Sequence, residues 1–386
     1  MFGGDGGLSG VPRHLGQICE TISNTVDLTV ASDRNVGGFD HAVQIGACHV
    51  EMEGLRSSLW PVSIIKGWIG AHRLLTQQKW DLVWLHARLP AILVRLAFAL
   101  GFTRLHNNAH IVMSYHGIPF DPGQRRIAAR VSRMVESFLL SRCPQMHLIF
   151  LSSDMVSRLR DVVGSSILDR HKIHVLPNSS NLGTIPRETT HMTKRNLVIT
   201  GRAGYQKNYA LAVRLMDHLP ENYILTLCGN GTDDRSFQSR LLRQVRAQTR
   251  ARIQFSGPVV DVGGILAMAD CYLLTSRYEG LPIGAIEAFE MGLPLVLTPF
   301  EAAPEMVAAH PLAMCLPLQD LPRDAVRIAR LVETYRKNRA AYSDQIKLAW
   351  KRKYPYAAWQ ARVRNLMQEI LADKIPNHAS FVHDVR

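Results

Sequence analysis

The sequence predicts an α/β fold in which parallel sheets are covered by helices on both faces. Short apolar runs alternate along the chain with stretches of helical periodicity, and a repeated strand-then-helix order is typical of parallel sheets. The runs are apolar at consecutive positions rather than at every second one, which indicates strands that are buried on both faces.

Two groups of predicted strands indicate two domains. The first group comprises residues 81–85, 110–115, 147–151 and 173–176, and the second comprises residues 197–200, 223–227, 253–255, 272–274 and 295–297. Between the groups, residues 178–195 are polar and aperiodic and contain Gly183 and Pro186, as expected of a linker. We therefore predict an N-terminal domain of residues 1–185 and a C-terminal domain of residues 186–386.

The composition is that of a packed globular protein. Hydrophobic residues make up 47% of the chain, which argues against disorder. No apolar run reaches the roughly 20 residues that a membrane-spanning helix needs, and no basic segment followed by an apolar core marks a secretory signal. The six cysteines include no C-x-x-C pair, so we expect buried, reduced thiols and a cytoplasmic location.

The formal net charge of +13 is spread along the chain. Nucleic acid, anionic lipid or a phosphorylated substrate would each complement this charge. No zinc-finger spacing or RNA-recognition aromatic motif accompanies it. Basicity alone therefore does not choose among these three partners.

The segment 276–294 carries the most specific pattern in the chain. It follows a predicted strand and opens a predicted helix, with Gly280 and Gly284 allowing a ligand to approach the backbone. Amides at a helix start, together with the helix dipole, favour a diphosphate. Glu279 in the loop and Glu287, about two turns into the helix, offer carboxylates that accept hydrogen bonds from sugar hydroxyls. An acidic residue beside a helix start is also common in proteins without such a ligand.

A second loop, residues 200–208, lies between a predicted strand and a predicted helix. Arg202 and Lys207 put two cations at this strand end, where a diphosphate would lie. Taken alone, two solvated cations in a turn would be the simpler interpretation. Residues 228–231 form a Gly-x-Gly turn after the next strand, a pattern that many tight turns share.

In this order, the loops resemble those of the family 4 glycosyltransferases, which are retaining enzymes of the GT-B type, with two Rossmann-like domains facing a cleft. The family pattern is Glu-x7-Glu within E-G-x-P/G…E-A-x-x-x-G-x-P, and Glu279, Gly280, Glu287 and Pro294 match it. The resemblance covers nearly the whole chain. It implies a donor site in the C-terminal domain and an acceptor side in the N-terminal domain.

The resemblance also implies a role for individual residues. Glu279 would contact the donor sugar and Glu287 the nucleotide ribose, while Arg202 and Lys207 would stabilise the diphosphate leaving group. The loops around the donor would comprise Gly201, Gly229, Gly231, Gly280, Leu281, Pro282 and Ile283. Because side chains and backbone amides supply the positive charge, no metal cofactor is expected.

The N-terminal half matches the family less closely. Its start resembles the acceptor-side glycine loop, which would comprise Ser9, Gly10 and Arg13. His116, in a His-Gly pair at a strand end, would reach the donor sugar, although a lone histidine is often structural. The glycine-rich start has no strand before it, whereas a Rossmann-like domain normally begins with one, so we expect the first strand to be missing.

Several other polar residues are predicted to lie outside the site. His86 also ends a strand and is interpreted as structural, and Glu136 as a surface salt-bridge partner on a helix. Asn178 is followed by serine where the family usually has glycine, a departure that would touch only the linker. Asp233 and Asp234 lack the D-x-D spacing of metal-using transferases and are interpreted as a helix cap.

The predicted activity is transfer of a hexose from a nucleoside diphosphate sugar to a glycan or lipid-linked intermediate of cell-surface polysaccharide synthesis. Two alternatives remain open. A sugar-nucleotide epimerase can share the two-domain fold, although the Glu-x7-Glu pattern weighs against it. A non-catalytic nucleic-acid-binding protein would explain the charge, but the resemblance implies no nucleic-acid partner.

A basic helix is predicted over residues 121–142. Its apolar stripe comprises Ile127, Val131, Met134, Val135 and Phe138, and its cations are Arg125, Arg126, Arg130 and Arg133. This surface is either an ordinary solvated helix face or rests on anionic lipid, where each cation contributes about 1 kcal/mol. Trp60, Trp68 and Trp80, around residues 64–66, would add interfacial anchors. We predict peripheral binding to the cytoplasmic face of the membrane.

Overall fold

The computed structural model describes residues 1–55, 60–103, 105, 109–118, 120, 123–183, 185 and 193–373. In the N-terminal domain, strands and helices alternate as predicted. The elements are β1 (Gly6–Gly7), α1 (Gly10–Ile22), β2 (Thr29–Ser32), β3 (Asn35–Val36), α2 (Asp40–Gln44), β4 (Cys48–Glu51), α3 (Pro61–Gln77), β5 (Leu82–Leu85), α4 (Arg88–Ala99), β6 (His110–Tyr115), α5 (Arg126–Arg142), β7 (His147–Phe150), α6 (Ser153–Val163), α7 (Ser165–Leu168) and β8 (Lys172–Val175).

The main sheet of this domain has the parallel order β5-β6-β7-β8, and a parallel pair, β2-β4, lies beside it. The first three residues connect the two sheets. Phe2 forms parallel bridges with Ala31 of β2 and Leu85 of β5, and the amide of Gly3 donates to the Ala31 carbonyl (2.8 Å). Residues 1–3 thus lie where a first strand is expected, but as a single bridged residue rather than a strand.

The C-terminal domain contains a single parallel sheet with the order β11-β10-β9-β12-β13-β14. Counted from β9, this is the order 3-2-1-4-5-6 of doubly wound nucleotide-binding domains. Its elements are β9 (Arg195–Thr200), α8 (Tyr209–Leu215), β10 (Tyr223–Cys228), α9 (Arg235–Leu242), α10 (Ala247–Arg250), β11 (Ile253–Gly257), α11 (Val262–Ala267), β12 (Cys271–Leu274), α12 (Ile283–Glu290), β13 (Leu295–Leu297), α13 (Ala303–Ala309), β14 (Ala313–Cys315), α14 (Leu321–Lys337) and α15 (Arg339–Lys353).

The predicted strands coincide with β5 to β13 to within two residues at each end. Residues 235–250 form two short helices, α9 and α10, with a break between them. The amide of Arg246, at the break, donates to the carboxylate of Asp217 (3.2 Å).

The last helix, α16 (Tyr356–Ala372), returns to the N-terminal domain. Its Trp359, Val363 and Ile370 share a buried cluster with Ile18 of α1 and Trp84 of β5. The predicted C-terminal domain of residues 186–386 thus includes a helix whose packing partners belong to the other domain. Apolar burial on α16 therefore joins the two domains in addition to the linker.

A buried ion pair ties α4 to α5. Arg95 and Glu136 are 0% and 3% exposed, their side chains form two hydrogen bonds of 2.7 and 2.9 Å, and the Tyr115 hydroxyl donates a third to Glu136 (3.1 Å). Although burial opposes it, the adjacent guanidinium lowers the pKa of Glu136. The interpretation of Glu136 as a surface residue is therefore wrong.

All six cysteines are free thiols. Cys19, Cys143, Cys228 and Cys271 are buried, as predicted, whereas Cys48 is exposed and Cys315 is half-buried. Burial raises the pKa of Cys19 to about 11, so this thiol stays protonated and unreactive at neutral pH.

Candidate active site

Two loops of the C-terminal domain meet at the carboxyl ends of β9 and β12, where the strand order reverses. One loop, residues 201–208, leads from β9 to α8, and the other, residues 275–282, leads from β12 to α12. The Thr275 hydroxyl joins them by donating to the Lys207 carbonyl (2.9 Å). Parallel sheets with this strand order bind ligands at this point.

Glu279 is held by the loop that follows the neighbouring strand. Its carboxylate accepts hydrogen bonds from Lys207 Nζ (2.8 Å), Gln206 Nε2 (3.0 Å) and Ser276 Oγ (2.7 Å). Glu279 is only 9% exposed. The predicted catalytic pair Lys207 and Glu279 is therefore brought together in one partly desolvated contact, where electrostatic interactions are stronger than in water.

Glu287 lies on α12, just over one turn from its start at Ile283 rather than two. The carboxylate is 2% exposed and accepts a hydrogen bond from the guanidinium of Arg13 on α1. Burial raises the pKa of Glu287, and the charge of Arg13 opposes this shift. Arg13, predicted in the acceptor-side loop, thus reaches across the domain boundary to the carboxylate that was predicted to hold the ribose.

The predicted donor-loop glycines are required by the backbone. Gly201, Gly229 and Gly231 have φ values of +148°, +141° and +80°, which side chains rarely allow. A Cβ atom on Gly229 would overlap the Gly201 carbonyl, and one on Gly201 would overlap the side chain of Lys207. Only glycine lets the turns after β9 and β10 lie this close together.

The loop before α12 rests against the N-terminal domain. A Cβ atom on Gly280 would lie 2.5 Å from the His116 carbonyl oxygen. Pro282 is the N-cap of α12 and has no N–H, so Leu281 and Ile283, but not Pro282, can offer amides to a phosphate.

Asn178 holds the loop that precedes α12, a contact that the sequence did not indicate. Its side-chain amide donates to the Leu281 carbonyl (2.7 Å), and the residue is 5% exposed. The departure from the family pattern is at the next residue, Ser179, whose hydroxyl donates to the Tyr354 carbonyl (3.0 Å), so the expectation that this departure touches only the linker is wrong. The contact of Asn178 with Leu281 joins residues that are 103 positions apart, so no local pattern reveals it.

Arg202 faces the glycine-rich start of the chain. Its guanidinium donates to the carboxylate of Asp5 (2.7 Å) and is 52% exposed. Ser9 is the N-cap of α1 and makes no side-chain cap. A Cβ atom on Gly10 would meet no atom within 4 Å, so packing inside the protein does not explain the glycine.

His116 follows β6 and lies beside the donor loop, as its backbone contact with Gly280 shows. Its Nε2 atom is buried without a hydrogen-bond partner. Burial lowers the pKa of His116 to about 4, so the ring is neutral at pH 7. A neutral imidazole can donate a hydrogen bond to a sugar hydroxyl or accept one from it.

Two further histidines join His116. The ring nitrogens of His14, His86 and His116 lie within 4.8 Å of one another, and this is the one cluster with metal-ligand geometry among the described residues. The sequence predicted no metal site and treated His86 as structural. The three residues lie on α1 and after β5 and β6, so only the fold brings them together.

Asp234 is a structural residue, as predicted. It is the N-cap of α9, and its carboxylate accepts a hydrogen bond from the Phe237 amide (2.7 Å). This contact confirms the helix-cap interpretation.

The outer surface of α5 combines apolar and basic side chains. The helix begins at Arg126, and residues 121–122 of the predicted helix lie outside the described residues. Ile127, Val131, Met134 and Phe138 are 82%, 54%, 67% and 41% exposed. The arginines Arg125, Arg126, Arg130 and Arg133 are exposed beside them. Four of the five predicted stripe residues thus face solvent, whereas Val135 is half-buried and packs against the core.

Helix α3, which packs on α4, also carries exposed apolar side chains. Trp60, Val62 and Ile65 are 77%, 63% and 53% exposed. The Trp68 ring packs edge-on against a phenylalanine at 5.4 Å, and the Trp80 indole donates to a backbone carbonyl (3.0 Å). We call the exposed apolar and basic side chains of α5 the amphipathic face. No helix in the described part of the chain is long and apolar enough to span a bilayer.

Two family profiles match the chain. The profile described as Glycosyltransferase Family 4 matches residues 8–182, and the profile described as Glycosyl transferases group 1 matches residues 184–347. The two matches meet within the predicted linker.

Curated relatives are similar over part of their length. The UDP-Gal:alpha-D-GlcNAc-diphosphoundecaprenol alpha-1,3-galactosyltransferase of Escherichia coli is 24% identical over 250 residues, which are 61% of this chain and 62% of that enzyme. The mannosylfructose-phosphate synthase of Agrobacterium fabrum is 26% identical over 178 residues, which are 39% of each chain. The aligned residues thus span less than two-thirds of either relative.

Solved structures are similar over almost the whole chain. Anabaena HepE in complex with UDP-glucose has a TM-score of 0.74 at 15% identity, covering 95% of this chain and 98% of that one. Sucrose-phosphate synthase from Thermosynechococcus elongatus has a TM-score of 0.75 at 15% identity, covering 96% and 98%. At this identity the similarity concerns the fold, and it confirms the prediction of two Rossmann-like domains of the GT-B type.

Proposed function

The chain belongs to the family 4 glycosyltransferases of the GT-B type, and we propose that it is a retaining enzyme that transfers a hexose from a nucleoside diphosphate sugar to a lipid-linked glycan. The observation that carries this proposal is the assembly of Lys207, Glu279 and Glu287 at the reversal of strand order in the C-terminal sheet. A cation and two carboxylates at that point match a ligand with a diphosphate and two sets of sugar hydroxyls.

Charge development explains the cations. When the bond between the anomeric carbon and the diphosphate oxygen breaks, negative charge grows on the diphosphate. Lys207, Arg202 and the amides of Leu281 and Ile283 lie on the loops around this position and would stabilise that charge without reorganisation. In a same-face displacement, the acceptor hydroxyl forms the new bond and its proton passes to the departing diphosphate, so the anomeric configuration is retained.

Neutral and anionic groups would orient the sugar. Glu279 would accept hydrogen bonds from the donor hexose and Glu287 from the ribose. His116 is neutral because its burial lowers the pKa to about 4, so it would exchange a hydrogen bond with the hexose without adding charge beside an oxocarbenium-like transition state. Side chains and backbone amides supply all the charge stabilisation in this scheme, so it requires no metal cofactor.

The acceptor proposal rests on two independent observations. The name of the Escherichia coli relative specifies a diphosphoundecaprenol-linked acceptor, and the amphipathic face exposes apolar and basic side chains on the acceptor domain. Apolar side chains that enter the interface, with arginines beside anionic headgroups, are typical of peripheral membrane binding. We therefore propose that the enzyme works on the cytoplasmic face of the membrane in cell-surface polysaccharide synthesis. A nucleic-acid backbone would not need the exposed apolar stripe.

The donor is tested by thermal shift with UDP-, GDP- and ADP-hexoses, since a ligand that binds the native state raises Tm. Because HepE was solved with UDP-glucose, we expect UDP-hexoses to give the largest rise. The same donors are then incubated with an undecaprenyl-diphosphate-linked sugar, and the anomeric configuration of the product is determined by NMR.

Transfer with retained configuration supports the proposal. An inverted product overturns the retaining mechanism. Recovery of an isomerised sugar nucleotide without transfer indicates the epimerase alternative. Binding to a polyanion that disappears with salt, without any response to sugar nucleotides, indicates the nucleic-acid-binding alternative.

A further inference from the structure

Three imidazoles from separate elements converge between α1 and the main sheet of the N-terminal domain. His14 projects from α1, and His86 and His116 follow the adjacent strands β5 and β6. The ring centroid of His116 lies 4.9 Å from that of His14 and 5.7 Å from that of His86. The centroids of His14 and His86 are 5.9 Å apart. The parallel pairing of β5 and β6 sets two of the three positions.

These imidazoles have hydrogen-bonding capacity that nothing in the described structure uses. The Nδ1 atom of His14, both ring nitrogens of His86 and the Nε2 atom of His116 are buried without a partner. His14 and His86 are each 3% exposed. Buried polar atoms that lack partners are costly, and a group of them in one place indicates a ligand.

The donor set identifies the class of ligand. It comprises imidazoles alone, without a carboxylate or a thiolate in the cluster. Imidazole suits Zn²⁺, Cu²⁺ and Ni²⁺, whereas Mg²⁺, Ca²⁺ and Mn²⁺ prefer oxygen ligands. We propose that His14, His86 and His116 bind one Zn²⁺ ion through three ring nitrogens, with a fourth coordination position left to water.

The surroundings suit such an ion. Tetrahedral zinc with Zn–N distances near 2.0–2.1 Å places its ligand atoms about 3.3 Å apart. The ring nitrogens lie within 4.8 Å of one another, so the rings would rotate to bring them closer around the ion. Trp84 stacks on His86 at 5.0 Å, and Trp359 packs edge-on against His14 at 5.8 Å.

Occupation of this site has a consequence for transfer that rests on the proposed function. His116 is the residue proposed to meet the donor hexose. A zinc ion would engage its Nε2 atom, which is buried without a partner, and so would compete with the hexose for this ring. Zinc would therefore inhibit the enzyme by withdrawing His116 from the sugar. The ion is thus an inhibitor of the reaction and has no part in the chemistry proposed above.

Binding is measured on the full chain after treatment with a chelator. Isothermal titration with ZnCl₂ is expected to give one ion per chain and a zinc-dependent rise in Tm. The variants His14→Ala, His86→Gln and His116→Gln should each reduce zinc affinity at least tenfold. His218→Ala, which removes an exposed histidine of the C-terminal domain, is the control and should bind zinc as the wild type does.

The Tm rise is compared with each variant's own metal-free value, so loss of stability in a variant does not imitate loss of binding. The proposal is overturned if the wild type does not bind zinc, if the three variants bind zinc as tightly as the wild type does, or if MgCl₂ raises Tm as much as ZnCl₂ does. Activity is a separate readout. Zinc binding without any transferase activity supports the zinc site and rejects the proposed function. Transfer that continues unchanged with zinc bound rejects the proposal that zinc inhibits the enzyme.

Discussion

The guanidinium of Arg13 on α1 donates a hydrogen bond to the carboxylate of Glu287 on α12, and this contact joins the two domains. Glu287 is almost completely buried, so its charge depends on this partner. A nucleotide whose ribose approaches Glu287 would therefore have to share the carboxylate with Arg13 or displace it.

This relationship predicts an effect of Glu287→Ala on donor affinity. Loss of a charged acceptor for the ribose hydroxyls should weaken binding of the donor nucleotide by about 1.5–3 kcal/mol, roughly tenfold to hundredfold in Kd. Calorimetric titration with UDP measures the change. Glu221→Ala, which removes an exposed glutamate, serves as control, and equal affinity of both variants would contradict the ribose role of Glu287.

The same pair predicts an effect on stability. Arg13→Ala leaves the buried Glu287 carboxylate without its cation and should lower the free energy of unfolding by about 1–3 kcal/mol. The double variant Arg13→Ala/Glu287→Gln removes the stranded charge and should recover part of this loss. Urea denaturation monitors both. If the single and double variants are equally destabilised, the loss does not come from the stranded charge of Glu287, and if Arg13→Ala is as stable as the wild type, the pair is not an important domain contact.

Lys207→Ala should act mainly on turnover. The side chain of Lys207 is 16% exposed and its ammonium lies 2.8 Å from Glu279, whereas the side chain of Arg202 is 52% exposed. Because preorganised charge in a partly desolvated site is worth roughly 2.7–4 kcal/mol to a transition state, we expect kcat to fall about hundredfold to thousandfold for Lys207→Ala and clearly less for Arg202→Ala. Steady-state kinetics separate kcat from KM. A change in KM alone would assign Lys207 to ground-state binding.

The strands and the loops that follow β9 and β12 could be predicted because their signals are local. The residues 110–115 and 295–297 are apolar runs bounded by breakers, and the structure has strands with these same bounds. Glu279 and Glu287 lie on one loop and one helix, so their spacing alone indicated a shared ligand. Arg13, Asn178 and the histidine cluster depend on how distant elements pack, and no periodicity records such contacts. Glu136 was misinterpreted for the same reason, since its partner Arg95 lies on another helix.

Acid should destabilise the protein partly through His116. A histidine in the unfolded chain binds a proton near pH 6.5, but burial lowers the pKa of His116 in the folded state to about 4. Between these values the unfolded chain binds more protons, so stability falls as the pH falls from 6.5 towards 4, by roughly 3 kcal/mol from this residue. Urea unfolding at pH 7 and 4.5 measures the loss. His116→Gln should show a smaller loss, and an unchanged pH dependence would rule out this contribution.

The last prediction concerns the amphipathic face. Ile127, Val131 and Met134 are more than half exposed, which is costly in water unless a partner covers them. Exposed arginines beside them, Arg126, Arg130 and Arg133, are each worth about 1 kcal/mol next to an anionic surface. We therefore expect co-sedimentation with vesicles that contain anionic lipid, and weaker co-sedimentation as salt screens the charges.

The triple variant Arg126→Glu/Arg130→Glu/Arg133→Glu should lose this binding, and Ile127→Ser/Val131→Ser/Met134→Ser should weaken it at unchanged net charge. The matched control Arg235→Glu/Arg240→Glu/Arg243→Glu makes the same change of charge on the C-terminal domain, where the arginines are also exposed, and should bind nearly as the wild type does. Equal loss in the control would show that binding follows net charge alone, and equal binding to neutral vesicles would show that the arginines do not take part.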